Sequence, residues 1–72
     1  MSKPTVWRTP LLIPGETWVP ASAKIKPRKI VWIGEDDCYG EAVRWCHPGS
    51  SETSIMQDKA FRWWIKKSSA QL

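Results

Sequence analysis

The chain has few of the features that identify enzymes or membrane proteins. Its 72 residues contain one histidine and no glycine-rich phosphate loop, so the usual groups of a catalytic centre are scarce. No apolar run approaches the roughly 18 residues that a membrane-spanning helix needs. The start, Met1-Ser2-Lys3-Pro4, lacks the apolar stretch of a secretory signal. We therefore predict a non-enzymatic, cytoplasmic protein without a membrane span.

Cysteine is also sparse, since Cys38 and Cys46 are the only two. Two cysteines are too few to staple a small domain with disulfides. Cys46 and His47, taken with Cys38 and either Asp36 or Asp37, do not have the paired spacing of a zinc site. We expect reduced thiols and neither a metal ion nor a cofactor.

Tryptophan, in contrast, is abundant for a single domain of 8.3 kDa. Each tryptophan buries up to about 150–250 Å², and six exceed what so small a core requires. Tryptophan is also enriched at the hot spots of binding surfaces. We therefore expect at least one exposed anchor among the six, which are Trp7, Trp18, Trp32, Trp45, Trp63 and Trp64.

The net charge of +4 is unevenly distributed along the chain. Residues 1–34 carry +5, residues 35–58 carry −5, and residues 59–72 carry +4. Four cations lie within Lys24–Lys29, and three anions are adjacent at Glu35–Asp37. A basic patch attracts phosphates through counterion release, and it also steers association with an acidic protein surface.

The prolines divide the chain into an arm and a domain. Four of the six prolines lie in the first twenty residues, and proline breaks both helices and central strands. We expect an extended arm over residues 1–14, one small domain over 15–67 and a flexible tail over 68–72.

Strands are predicted in the first part of the domain. Residues 15–19 read as a short strand, and the β-branched and aromatic run 29–34 reads as a buried one. Residues 39–47 alternate between apolar and polar side chains, which predicts a hairpin with 29–34 across a turn at 35–38. The core is expected to contain Ile30, Trp32, Val43, Trp45 and Phe61.

The end of the domain fits two patterns. Alternation of Phe61, Trp63 and Ile65 with polar or outward residues favours a short strand at 52–56, a helical turn at 57–60 and a closing strand at 61–66. The capping-box spacing of Ser54 and Gln57, with acid and base placed as a helix dipole prefers, favours instead a helix over 54–67. The fold class is mainly β, with a hairpin plus a carboxyl-terminal helix as the α+β alternative.

The order strand, long loop, hairpin, short strand, helical turn and last strand resembles the small SH3-like antiparallel barrels. The segments that carry this resemblance are Pro14–Trp18, Lys29–Ile33, Ala42–Trp45, Ile55-Met56 and Phe61–Trp64. Such barrels bind proteins, peptides or nucleic acid.

Size, basic charge and the start Pro4-Thr5-Val6-Trp7-Arg8-Thr9-Pro10 also resemble the small transcription regulators of lytic xanthomonad phages. That resemblance implies binding to the β′ subunit of host RNA polymerase, near the RNA exit channel. It further implies inhibition of initiation through σ displacement, suppression of intrinsic termination, and a location in the host cytoplasm.

Two sets of site residues follow from these patterns. The partner-binding set combines an aromatic arm with the basic loop: Val6, Trp7, Arg8, Lys24, Lys26, Arg28 and Lys29. A second set interleaves cations with an aromatic ring, as nucleic-acid stacking requires: Arg62, Trp64, Lys66 and Lys67. The first three of these are expected on one face of the closing strand. The function expected is that of a monomeric regulator bound to host RNA polymerase, and the alternative is a small barrel that binds nucleic acid directly.

Overall fold

The computed structural model describes residues 11–72, which form one antiparallel sheet and one helix. The strands are β1 (Thr17–Trp18), β2 (Arg28–Asp36), β3 (Gly40–Cys46) and β4 (Ser54–Gln57), and they lie in the order β1-β2-β3-β4. Helix α1 (Asp58–Ser68) follows β4 directly. The mainly β fold class is therefore confirmed, and so is the central hairpin.

The β2–β3 turn is built by an aspartate, as its sequence suggests. Asp36 Oδ2 accepts hydrogen bonds from the backbone N–H groups of Cys38 (2.9 Å) and Tyr39 (3.2 Å). Gly40 then takes a left-handed conformation with φ of 73°, which glycine adopts without steric cost. The hydrogen bonds of Asp36 and the left-handed conformation of Gly40 together define this turn.

A β-bulge in β2 changes the face of the sheet on which Trp32 lies. Ile30 pairs with Trp45 and Ile33 pairs with Val43, with the register shift between Ile30 and Trp32. The extra residue moves Trp32 to the outer face of the sheet, where 41% of it is exposed. The expectation that Trp32 is buried is therefore wrong.

Trp45 is also less buried than expected. It is only partly buried, and it packs against the core cluster. The buried members of that cluster are Leu12, Trp18, Ile30, Val43, Phe61, Trp64, Ile65 and Ala70. Ile30, Val43 and Phe61 are inaccessible to solvent, as predicted.

Helix α1 replaces the closing strand expected at 61–66. Its buried residues Phe61, Trp64, Ile65 and Ser68 have the i, i+3, i+4, i+7 spacing of a helix that packs one face on a core. The expected capping box is absent, because Ser54 lies in β4 and the N-cap Gln57 makes no side-chain capping bond. The alternative of a hairpin plus a carboxyl-terminal helix fits this part of the chain.

The sheet is not closed into a barrel, because the last segment is helical. The end of the chain meets the residue after β1 through an isolated antiparallel bridge between Val19 and Gln71. Residues 68–72, expected to be a flexible tail, include the buried Ala70 and this bridge. Among residues 11–72, no helix is long and apolar enough to cross a membrane.

Candidate functional site

Two basic segments that are distant in sequence meet at one end of the molecule. The backbone N–H of Ala21 donates a 3.0 Å hydrogen bond to the carbonyl oxygen of Ser68, the last residue of α1. The loop then returns to the helix, where the Arg28 guanidinium lies 4.4 Å from the centre of the Trp64 ring. We call the resulting surface the basic end; its cations are Lys24, Lys26, Arg28, Lys29, Lys66 and Lys67. The segments that supply it, 20–29 and 66–72, contain no acidic residue.

Arg28 is held between two aromatic rings. Its guanidinium carbon lies 4.1 Å from the centre of the Trp45 ring and 4.4 Å from that of Trp64, within cation–π range. Nη1 is also 3.4 Å from the sulfur of Met56. Desolvation by burial lowers the pKa of the Arg28 guanidinium, which nevertheless stays charged at neutral pH. Arg28 thus fixes the loop to the helix rather than extending freely toward a partner.

His47, which directly follows β3, contacts the same loop. Its Nδ1 lies 2.9 Å from the carbonyl oxygen of Pro27, a distance at which the Nδ1–H tautomer donates a hydrogen bond. The imidazole also meets Trp45 edge to face, with ring centres 5.1 Å apart. His47 therefore contacts both the loop before Arg28 and one of the two rings that hold Arg28.

The other predicted members of the partner-binding set differ in where they lie. Lys24 and Lys26 are exposed on the loop before β2, and Lys29 is exposed on the outer face of the sheet, opposite Thr17 and Cys46. The remaining three, Val6, Trp7 and Arg8, lie outside the described residues.

The outer face of α1 carries an exposed tryptophan among lysines. Trp63 is 60% exposed, and Lys59, Lys66 and Lys67 lie four residues before it, three after it and four after it, all exposed. Side chains at these spacings are neighbours on a helix, with Cβ atoms about 5–6 Å apart. We call these four residues the Trp63 face.

Of the expected nucleic-acid-facing set, Lys66 and Lys67 lie on this face, and Trp64 does not. Trp64 is only 7% exposed and is covered by Arg28 and by Phe61, whose ring centre is 5.5 Å away. Arg62 forms a 2.8 Å ion pair with Asp58. The strand pattern in the sequence led to the choice of Trp64 for the nucleic-acid-facing set. The helical spacing of the buried residues would have identified Trp63 as the exposed tryptophan instead.

The opposite end of the β2–β3 hairpin is acidic. Glu35, Asp36, Asp37 and Glu41 surround its turn, and residues 35–41 contain no cation. The eight residue steps of β2 place this acidic tip about 26 Å from Arg28, at about 3.3 Å per residue. Positive and negative charge are therefore separated along the sheet.

The thiols are unpaired within the described part of the chain. Cys38 is exposed in the hairpin turn and Cys46 is half-buried on β3. Among residues 11–72, no group of three or more histidine, cysteine, aspartate or glutamate side chains is arranged to hold a metal ion.

Comparison of the chain with protein-family models, with characterised proteins and with solved structures finds no match. The resemblances in its sequence therefore stand as expectations.

Proposed function

We propose that the protein binds host RNA polymerase and regulates transcription from the host cytoplasm. The observation that supports this proposal is the basic end, which brings together two segments that carry six cations and no acidic residue of their own. RNA polymerase is a large anionic assembly, and complementary charge speeds association and selects partners. The resemblance to phage transcription regulators specifies the β′ subunit near the RNA exit channel. Bound there, the protein displaces σ and suppresses intrinsic termination.

Two features of the chain, one in the basic end and one in the sequence of the arm, favour recognition of a protein surface. The ordered part, Arg28 between Trp45 and Trp64, holds the loop in place without using Lys24 or Lys26. A pre-ordered loop loses less entropy on binding than a free one. The arm residues Trp7 and Arg8 supply the two residue types most frequent at hot spots.

The test measures binding of purified, nucleic-acid-free xanthomonad core polymerase to the immobilised protein. The double variant Lys24→Gln/Lys26→Gln is expected to lower the association rate constant by about tenfold, because electrostatic steering accounts for factors of this size. The matched control, Glu35→Gln/Asp37→Asn, removes two charges from the acidic tip and retains Asp36. If only the total charge of the protein mattered, this control variant would bind the polymerase more strongly than the wild type. If the contact is made locally by Lys24 and Lys26, the control should bind as the wild type does.

A second variant tests the arm with the same polymerase. Trp7→Ala/Arg8→Ala is expected to weaken binding by at least about 2 kcal/mol, the usual hot-spot threshold. Its melting curve should stay within about 1 kcal/mol of the wild type. Absence of binding by the wild-type protein at low salt would overturn the proposed function.

A further inference from the structure

The Trp63 face is not explained by the packing of the helix. The buried stripe of α1 is complete without Trp63, since Phe61, Trp64, Ile65 and Ser68 already fill it. Leaving a tryptophan largely in water forgoes the favourable burial of a large apolar surface. The indole of Trp63 is therefore available to a ligand that covers it.

The lysines around Trp63 define the chemistry of that ligand. Lys59, Lys66 and Lys67 border the indole, whereas the nearest acid, Asp58, is turned to Arg62 in the ion pair. The ammonium groups of Lys59 and Lys67, which lie one helical turn to either side of Trp63, match a polyanion better than an uncharged apolar surface. A flat aromatic ring beside cations is the arrangement that single-stranded nucleic acids use, because a base stacks on the ring while the phosphates meet the cations.

We propose that the Trp63 face binds single-stranded nucleic acid, with one base stacked on Trp63 and the adjoining phosphates contacted by Lys59 and Lys67. Duplex DNA fits this face less well, because its bases are already stacked and paired and leave no free ring for the indole. The proposal goes beyond polymerase binding, and its test contains no polymerase.

The experiment measures the anisotropy of fluorescent oligonucleotides about 12 nucleotides long, within the range that small single-strand-binding domains cover. Oligouridine and oligothymidine distinguish RNA from DNA as the source of the strand, and a DNA duplex of equal length serves as competitor. Trp63→Ala and Trp63→Leu should each weaken single-strand binding by about 5- to 150-fold, which corresponds to about 1–3 kcal/mol per stacked base. Trp63→Phe should retain part of the affinity, because the phenylalanine ring can still stack on a base. Trp63→Leu keeps an apolar side chain but has no ring to stack.

The matched control is Trp32, the other exposed tryptophan among residues 11–72, which lies directly opposite Arg44 on the sheet. Trp32→Leu is expected to leave oligonucleotide affinity within about twofold of the wild type, with the folded fraction checked by circular dichroism. A loss with Trp32→Leu and none with Trp63→Leu would overturn the proposal in favour of the outer sheet face.

The lysines are tested by the salt dependence of binding. Lys59→Gln and Lys67→Gln should each lower the slope of log affinity against log salt by about 0.7, the contribution of one phosphate contact on a single strand. In the unmutated protein, titration with oligonucleotide should shift the indole N–H resonance of Trp63 more than that of Trp32. Equal affinity for single strands and duplex, or a Trp63→Ala variant that binds oligonucleotide as tightly as the wild type, would overturn the proposal.

Discussion

The basic end and the acidic tip of the β2–β3 hairpin are ordered by different forces. At the basic end, a cation is held by the faces of two large rings, and the anchoring contacts join β2, β3 and α1. At the acidic tip, the carboxylate of Asp36 accepts bonds from backbone groups two and three residues away. The first arrangement is tertiary and the second is local.

This difference separates charge that holds the fold from charge that is available to a partner. Arg28 and Asp36 are engaged inside the molecule, while Lys24, Lys26 and Asp37 are exposed beside them. Neutralising the engaged groups should reduce stability, and neutralising the exposed groups should change association. The tertiary contacts of Arg28 should also contribute more to the free energy of unfolding than the local hydrogen bonds of Asp36.

The largest expected effect removes a ring from the basic end. Trp64→Ala should lower the free energy of unfolding by about 3–5 kcal/mol, because it empties a buried site and uncovers Arg28. A domain of this size has a stability on the order of 5 kcal/mol, so the variant should be largely unfolded at moderate urea concentrations. The control is its neighbour: Trp63→Ala should change the unfolding free energy by no more than about 0.5 kcal/mol. Equal losses in the two urea titrations would contradict the helical assignment.

An intermediate effect is expected from the cation itself. Arg28→Ala should lower the free energy of unfolding by about 2 kcal/mol, through loss of two partly desolvated ring contacts and of the packed side-chain stem. Lys24→Ala, a nearby cation without such contacts in the described structure, should melt as the wild type does. A melting curve for Arg28→Ala that overlays that of Lys24→Ala would show that the rings do not anchor the loop.

The smallest effect is expected at the acidic tip. Asp36→Ala should lower the free energy of unfolding by about 1 kcal/mol, the net value of a typical hydrogen bond in a turn. Asp37→Ala, which keeps the Asp36 bonds and removes an adjacent charge, should be neutral or slightly stabilising, because it relieves repulsion among the carboxylates. Thermal melts at low salt measure both variants. A larger change in melting temperature for Asp37→Ala than for Asp36→Ala would show that charge, rather than the turn geometry, determines stability at the tip.

The strands were predictable because their sequence signals are local. The run from Ile30 to Ile33 is β-branched and aromatic, and the turn expected at 35–38 overlaps the observed turn between Asp36 and Gly40. The bulge that turns Trp32 outward was not predictable, because it depends on pairing with β3 rather than on the composition of β2. One inserted residue reverses the faces of all that follow.

The helix was ambiguous for a different reason. Phe61, Trp63 and Ile65 alternate as in a strand, while Phe61, Trp64 and Ile65 have helical spacing, so the segment satisfies both periods. Asp58 in the first turn and Lys66 and Lys67 in the last turn agree with the helix dipole. Choosing the strand period exchanged Trp63 for Trp64 and thereby placed the buried ring in the binding set.

The bridge between Val19 and Gln71 has a consequence for the order of folding. Its two hydrogen bonds, 2.7 and 2.9 Å long, join residues near the two ends of the described chain, so forming them closes a loop of about 50 residues. The β2–β3 hairpin, in contrast, needs only a short turn and forms on the microsecond scale. We therefore expect the bridge to be made last and opened first. In hydrogen exchange, the amides of Val19 and Gln71 should lose protection well before that of Val43, through partial opening that leaves the central hairpin intact.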